Sequence, residues 1–148
     1  MAMIEIWDGP AVQLGELLDA IPITDELSWS VLEFWGVARD DTTDVVELEQ
    51  QAARGSQGLR FTASQLREFA AALSQLIDGI VVGYRTQPPN RSDPDLRTSS
   101  EVVIEAIDST LWRVYARDSD VTGRLRSLYR DVRAIEPEVH LPPMHEGT

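Results

Sequence analysis

Cysteine does not occur in this chain, and neither does lysine. The first absence removes disulfide staples, thiol nucleophiles and thiolate metal sites. The second removes Schiff-base chemistry and the phosphate-gripping lysine of a P-loop. Histidine occurs twice, at His140 and His145, both in a proline-containing tail, which leaves the body of the chain without an imidazole for a nucleophilic triad. Their spacing of five does not match the i, i+4 pair of a helical metal site, and no third ligand stands near them, so no metal is expected. Long apolar runs are missing as well. Stretches such as Gly79-Ile80-Val81-Val82-Gly83 fall far short of the about 20 residues a bilayer-spanning helix needs. The opening Met1-Ala2-Met3-Ile4-Glu5-Ile6 has neither the basic leader nor the apolar stretch of a signal peptide. The expectation is a cytoplasmic chain with no membrane contact. Gly79 and Gly83 do not open a helix in a Gly-x-Gly-x-x-Gly pattern, and no cofactor is expected.

What remains is enough for a core. A chain of 148 residues with 43% hydrophobic residues, three Phe, three Tyr and four Trp can bury roughly 68–70% of the surface its unfolded form exposes. One domain over residues 1–136 is expected, followed by a disordered tail over 137–148. All 13 cations are Arg, which fits the codon bias of a GC-rich bacterial genome. The net charge of −12 argues against nucleic acid, which demands a basic stripe.

Periodicity divides the chain into strands and helices. Met3 to Trp7 reads as a short strand, and Ala11, Leu14, Leu17, Leu18 and Ile21 then recur at helical spacing, with Pro10 at the helix start. Residues 28–37 alternate as a strand with apolar weight on both faces, a helix being the alternative; Trp29, Trp35 and Trp112 suit a sheet core. Thr43 to Arg54 reads as a polar helix. Thr62-Ala63-Ser64-Gln65 has the form of a capping box with Phe61 and Leu66 as a staple, and predicts a helix over Thr62–Ile77 that Gly79 terminates. Ile80–Arg85, Glu101–Asp108 and Leu111–Arg117 are β-rich, the last two joined as a hairpin through Ser109-Thr110. A final helix capped by Asp118 or Ser119 aligns Val121, Leu125, Leu128 and Val132. Residues 86–99, with three prolines, read as a flexible loop. The expected fold is α+β: a single, mostly antiparallel sheet of four to five strands, with about four helices packed mainly on one face.

The search for chemistry yields little. Asp118-Ser119-Asp120-Val121-Thr122-Gly123 resembles the opening of a calcium loop, but Tyr129 stands where the bidentate glutamate belongs. Glu105 and Asp108 are the best carboxylates for acid/base work, yet alternation lets Glu105 face solvent and Asp108 precedes a turn. No catalytic residue is assigned.

The uneven charge calls for a functional reading. Residues 1–53 hold 12 acids against the single Arg39, a net of −11, whereas the remainder holds 13 acids against 12 Arg. Such a field speeds encounter with a basic partner. The expectation is a non-enzymatic, acidic protein-binding domain, in its sharpest form an immunity- or antitoxin-like inhibitor. Its contact residues would be Asp40, Asp41, Asp44, Glu47 and Glu49, with Trp35 as the nearest aromatic anchor. The alternative is a small-molecule-binding or hydrolytic domain with its pocket between sheet and helices. A homodimer stays open.

Overall fold

The computed structural model describes residues 2–9 and 12–135. The expectations for Pro10, Ala11 and the tail, with His140 and His145, lie outside the described residues. In chain order the elements are β1 (Ala2–Ile6), α1 (Leu14–Ala20), β2 (Ser28–Ala38), α2 (Val45–Arg54), β3 (Leu59–Phe61), α3 (Ala63–Ala72), β4 (Leu73–Tyr84), β5 (Val102–Ile107), β6 (Leu111–Ala116), α4 (Ser119–Leu128) and β7 (Val132–Ile135). The strands form one sheet in the order β3-β2-β4-β5-β6-β1-β7, and every neighbouring pair is antiparallel. The α+β architecture with four helices and one antiparallel sheet is as the sequence reading has it. The strand count is not: among the described residues there are seven strands where four to five were expected.

Two of the additional strands have definite causes. β3 has only three residues, too few for a periodic signal, and is registered on Trp29–Val31 of β2. β7 replaces the end of the expected last helix. α4 stops at Leu128 because the chain beyond it is drawn to the open edge of β1. The Asp8 carboxylate accepts the Arg130 and Asp131 backbone N–H groups at 3.0 and 2.8 Å. Trp7 N–H donates to the Asp131 carbonyl, and Val132 then pairs with Ile6.

The third correction concerns the helix expected over Thr62–Ile77. Its capping box forms as read, the Thr62 hydroxyl accepting from Gln65 N–H and the Gln65 side chain accepting from Thr62 N–H. The helix ends at Ala72, however, and Leu73–Ile77 are strand. Arg39 makes this stop. Its backbone N–H donates to the Ala72 carbonyl, its Nε to the Ala71 carbonyl and its Nη2 to the Leu73 carbonyl, both at 3.0 Å. The orphan carbonyls at a helix end must find donors, and here a tertiary cation supplies them. Gly79 is therefore no helix terminator. It lies mid-strand between Phe34 and Ala106, where an added Cβ would come within 3.2 Å of the Glu33 carbonyl oxygen.

The sheet has two unlike faces. The larger core joins side chains from all four helices, among them Leu17, Val45, Leu66, Phe69, Val121 and Leu125, to Ile4, Trp29, Val81, Ile104 and Val114 of the sheet. On the other face a smaller cluster joins Met3, Leu32, Ile80, Val82, Val103 and Tyr115 to Leu96, which the 86–99 segment delivers. That segment is tied down by Arg91, whose side chain donates to the Ala52 and Gly55 carbonyls, and by Arg117, which donates to the carbonyls of Arg97, Thr98 and Ser100.

A bulge decides which β2 side chains see which face. Val31 pairs with Val81 and Glu33 with Ile80, so Leu32 is an extra residue. A one-residue insertion turns every later side chain over. Trp29 and Val31 enter the larger core, whereas Glu33 and Trp35 emerge on the other face. The expectation that Trp35 belongs to the sheet core with Trp29 and Trp112 is corrected by this bulge: Trp35 is 57% exposed, while the other two are buried.

Leu73 is 2% exposed and belongs to the larger core. Its replacement by Ala is expected to cost about 2–5 kcal/mol, read as a lowered midpoint in a denaturant titration. A loss below about 1 kcal/mol would show that β4 does not begin inside the core.

Candidate functional site

Leu96 shields only part of the second face. Beyond it a row of charges crosses the sheet. The register places Glu33 opposite Ile80, Ile80 opposite Glu105, Glu105 opposite Arg113, Arg113 opposite Glu5 and Glu5 opposite Arg133, and directly opposed residues share a face. Arg113 is the centre of the row. It donates to Glu5 Oε2 at 2.9 Å and to Glu105 Oε1 at 3.3 Å, and its side chain is only 16% exposed. Glu5 is satisfied further by the Trp7 indole N–H at 3.1 Å, and the Arg133 guanidinium stacks on the Trp7 ring at 4.3 Å.

At the far end of this row the bulged β2 and the hairpin between β5 and β6 enclose a recess of about 320 Å³, lined in part by Glu33, Trp35, Asp78, Ile80, Glu105 and Ile107. The hairpin turn is built tightly. Asp108 and Ser109 both adopt positive φ, 51° and 57°, as a turn of this hand requires. Three bonds to β4 hold it there, from Asp108 N–H to Asp78 Oδ1 at 2.8 Å, from Ser109 N–H to the Ile77 carbonyl at 2.9 Å and from Gln75 Nε2 to the Ser109 hydroxyl at 2.8 Å. Asp78 thus has a structural duty and also faces the recess. Among the described residues, three carboxylates and an exposed indole line the hollow.

Glu105 reports the electrostatics of this place. Burial pushes its carboxyl up to about 7, and the charges of Glu33 and Asp78 push the same way against the lowering pull of Arg113. One guanidinium shared by two buried carboxylates leaves a charge short.

The acidic segment singled out by the sequence is put largely to local use. Asp40 accepts from the Thr42 hydroxyl and N–H, which with Arg39 holds its carboxyl below the usual range. Asp44 caps α2 by accepting from Glu47 N–H, Glu47 pairs with Arg54 at 3.4 Å, and Glu49 accepts from Gly36 N–H at 3.2 Å, covering the edge of β2. Asp41 is exposed. None of the five lines the recess, whereas Trp35 does. Glu105, read as free to face solvent, is 8% exposed; its alternation is right, but it points to a face partly covered from above. Asp118 caps α4 through Asp120 N–H, as the calcium-loop mismatch implied. Among the described residues no three acidic or imidazole side chains converge to hold a metal ion. Glu33 escaped the sequence reading because only the Leu32 bulge brings it beside Glu105, and Asp78 because it follows the expected helix and is placed there by the register of β4 on β5.

No family model, curated protein or solved structure matches the chain. The recess therefore stands on its own geometry.

A carboxyl whose folded value lies near 7 and whose unfolded value is near 4.5 favours folding fully below about 4.5, and this contribution is lost as the pH rises through 7. Glu105→Gln is expected to remove that loss. The stability difference between wild type and variant should shift by up to about 3 kcal/mol in favour of the variant between pH 4 and pH 8, measured by chemical denaturation. A difference independent of pH would show that Glu105 ionises normally in the fold.

Proposed function

We propose that this chain is a non-enzymatic binding domain for a basic protein, and that the partner is engaged at the Trp35 recess. In its sharpest form it acts as an immunity- or antitoxin-like inhibitor that covers a cationic surface. The single observation supporting this reading is the pairing of a 57% exposed indole with a hollow that, among the described residues, is lined by three carboxylates. An arginine side chain suits such a place, since its guanidinium stacks on an indole face while its donors meet carboxylates. Tryptophan is also the residue type most often found at the energetic centre of a protein interface. The net of −11 over residues 1–53 contributes long-range steering and not contact, which suits the local duties of Asp40, Asp44, Glu47 and Glu49.

A hydrolytic reading would point to the same hollow, because a carboxyl raised beside other carboxylates is how acid/base pairs are made. Glu105, however, is bonded to Arg113 and almost covered, so its proton is poorly presented to a guest. Binding accounts for the lining better than turnover does.

Titration with an oligo-arginine peptide tests the proposal. Affinity is expected to fall steeply with salt, and Trp35→Ala to weaken binding about tenfold or more. A combined Asp40→Asn, Asp41→Asn and Asp44→Asn variant keeps the turn and cap acceptors and should slow association at low salt while leaving dissociation unchanged. Undiminished binding by Trp35→Ala would place the contact elsewhere, and an unchanged association rate in the triple variant would reduce the segment to a solubilising surface.

A further inference from the structure

The chain carries its own candidate for a basic ligand. Large apolar side chains left exposed among the described residues are few: Trp35, Val37, Val46 and Leu128. Trp35 and Val37 are two apart on β2 and share its second face, and the acidic turn at Asp40 and Asp41 follows two residues after the strand. Leu128 lies at the opposite pole of charge. It ends α4, one helical turn beyond Arg124, with Arg126 and Arg130 on either side of it in sequence.

These three arginines differ from the others. Arg54, Arg67, Arg85, Arg97, Arg113, Arg117 and Arg133 make ion pairs, Arg39 and Arg91 donate to backbone carbonyls, and Arg60 donates to the Gln57 side chain. Arg124, Arg126 and Arg130 are exposed and make none among the described residues. Carboxylates outnumber Arg by 25 to 13 in the sequence, so a shortage of partners is not the reason. Part of their role is to complement the negative end of α4, but that requires neither three cations nor a bare leucine among them.

Building on the binding function proposed above, we propose that the α4 end of a second copy of this chain docks on the acidic β2 end, with Leu128 against Trp35 and Val37 and the arginines toward the carboxylates. Apolar and charged features match across this contact in kind and in sign. α4 packs on β6 and β1, separated from β2 by two and three strands of the sheet, and it lies on the helical face, whereas Trp35 lies on the other. One molecule therefore cannot satisfy itself, and the contact between copies is heterologous, extending head to tail instead of closing as an isologous pair.

The net charge of −12 gives this association an unusual salt dependence. At about 0.01 M salt the screening length of roughly 30 Å spans the molecule, and whole-body repulsion dominates. At about 0.15 M it shrinks to roughly 8 Å, so that only the matched ends are felt, and at about 1 M these too are screened.

Sedimentation equilibrium of the full chain is the test. The weight-average mass should exceed the 16.5 kDa monomer near 0.15 M salt and rise with concentration without a plateau at twice that value, and it should fall back toward the monomer at both salt extremes. A Trp35→Ala/Asp41→Arg variant and an Arg124→Gln/Arg126→Gln/Arg130→Gln variant should each remain monomeric. Their mixture retains one intact end of each kind and should form a 1:1 complex and nothing larger, which also shows that both variants are folded. A wild-type mass fixed at the monomer under every condition, or a mixture that does not associate, would overturn the head-to-tail contact. Oligo-arginine binding by the triple Arg variant separates the two proposals: if this variant binds the peptide while the wild type stays monomeric, only the second copy is removed as partner, and if the wild type stays monomeric and the variant binds no peptide, both are removed.

Discussion

Arg113 joins two buried carboxylates across the sheet's second face, and the arrangement of that face follows from it. Its guanidinium spans β6 to both neighbours, bonding Glu5 on β1 and Glu105 on β5. All three side chains are largely removed from water. Taking Arg113 away would leave two buried carboxylates uncompensated, at a cost of about 3–5 kcal/mol, so the triad fixes the registers of three strands together. It also falls one charge short. That deficit appears at Glu105, next to Glu33 and Asp78, where the sheet is not covered.

The lack of cover follows from backbone geometry. β4 is twelve residues long and its pairing with β2 is broken at three places by irregularities, each of which bends the sheet and strengthens its twist. The 86–99 segment crosses the second face and places Leu96 over Ile80, Val82, Val103 and Tyr115. The end of β2 beyond the Leu32 bulge lies clear of that cluster, and there Trp35 stands in solvent beside three carboxylates. Curvature, a deficit of positive charge and an exposed indole meet at one spot for separate reasons.

How much of this was legible in the sequence depends on whether local or tertiary forces decide each feature. The capping box at Thr62, the cap at Asp118 and the hairpin at 102–116 are local, and all were readable. The end of α3 was not, because Leu73, Leu76 and Ile77 satisfy a helical stripe as well as they do a bulged strand. The choice is made by Arg39, more than thirty residues away in sequence. β7 was hidden for a similar reason: Val132 continues the spacing of Leu125 and Leu128, and only the waiting edge of β1 and the Asp8 carboxylate turn the chain out of the helix. Trp35 was identified as the nearest aromatic to the acidic segment, but its exposure depends on a single extra residue at Leu32 that composition and alternation do not reveal. The charge asymmetry was plain, yet it pointed to the carboxylates densest in sequence, whose side chains mostly serve turns, caps and pairs, and not to those gathered in space.

Glu105 shares the Arg113 guanidinium with Glu5, and a guest cation at the recess would supply the positive charge that Glu105 is short of. Site-resolved carbon NMR of the Glu105 carboxyl tests this most directly, by following its titration in the free chain and with saturating oligo-arginine peptide. The account predicts a midpoint near 7 in the free chain and a clear drop when the peptide is bound, because a nearby cation favours the ionised form. A midpoint near the ordinary 4.5, or one near 7 that the bound peptide does not move, would contradict it.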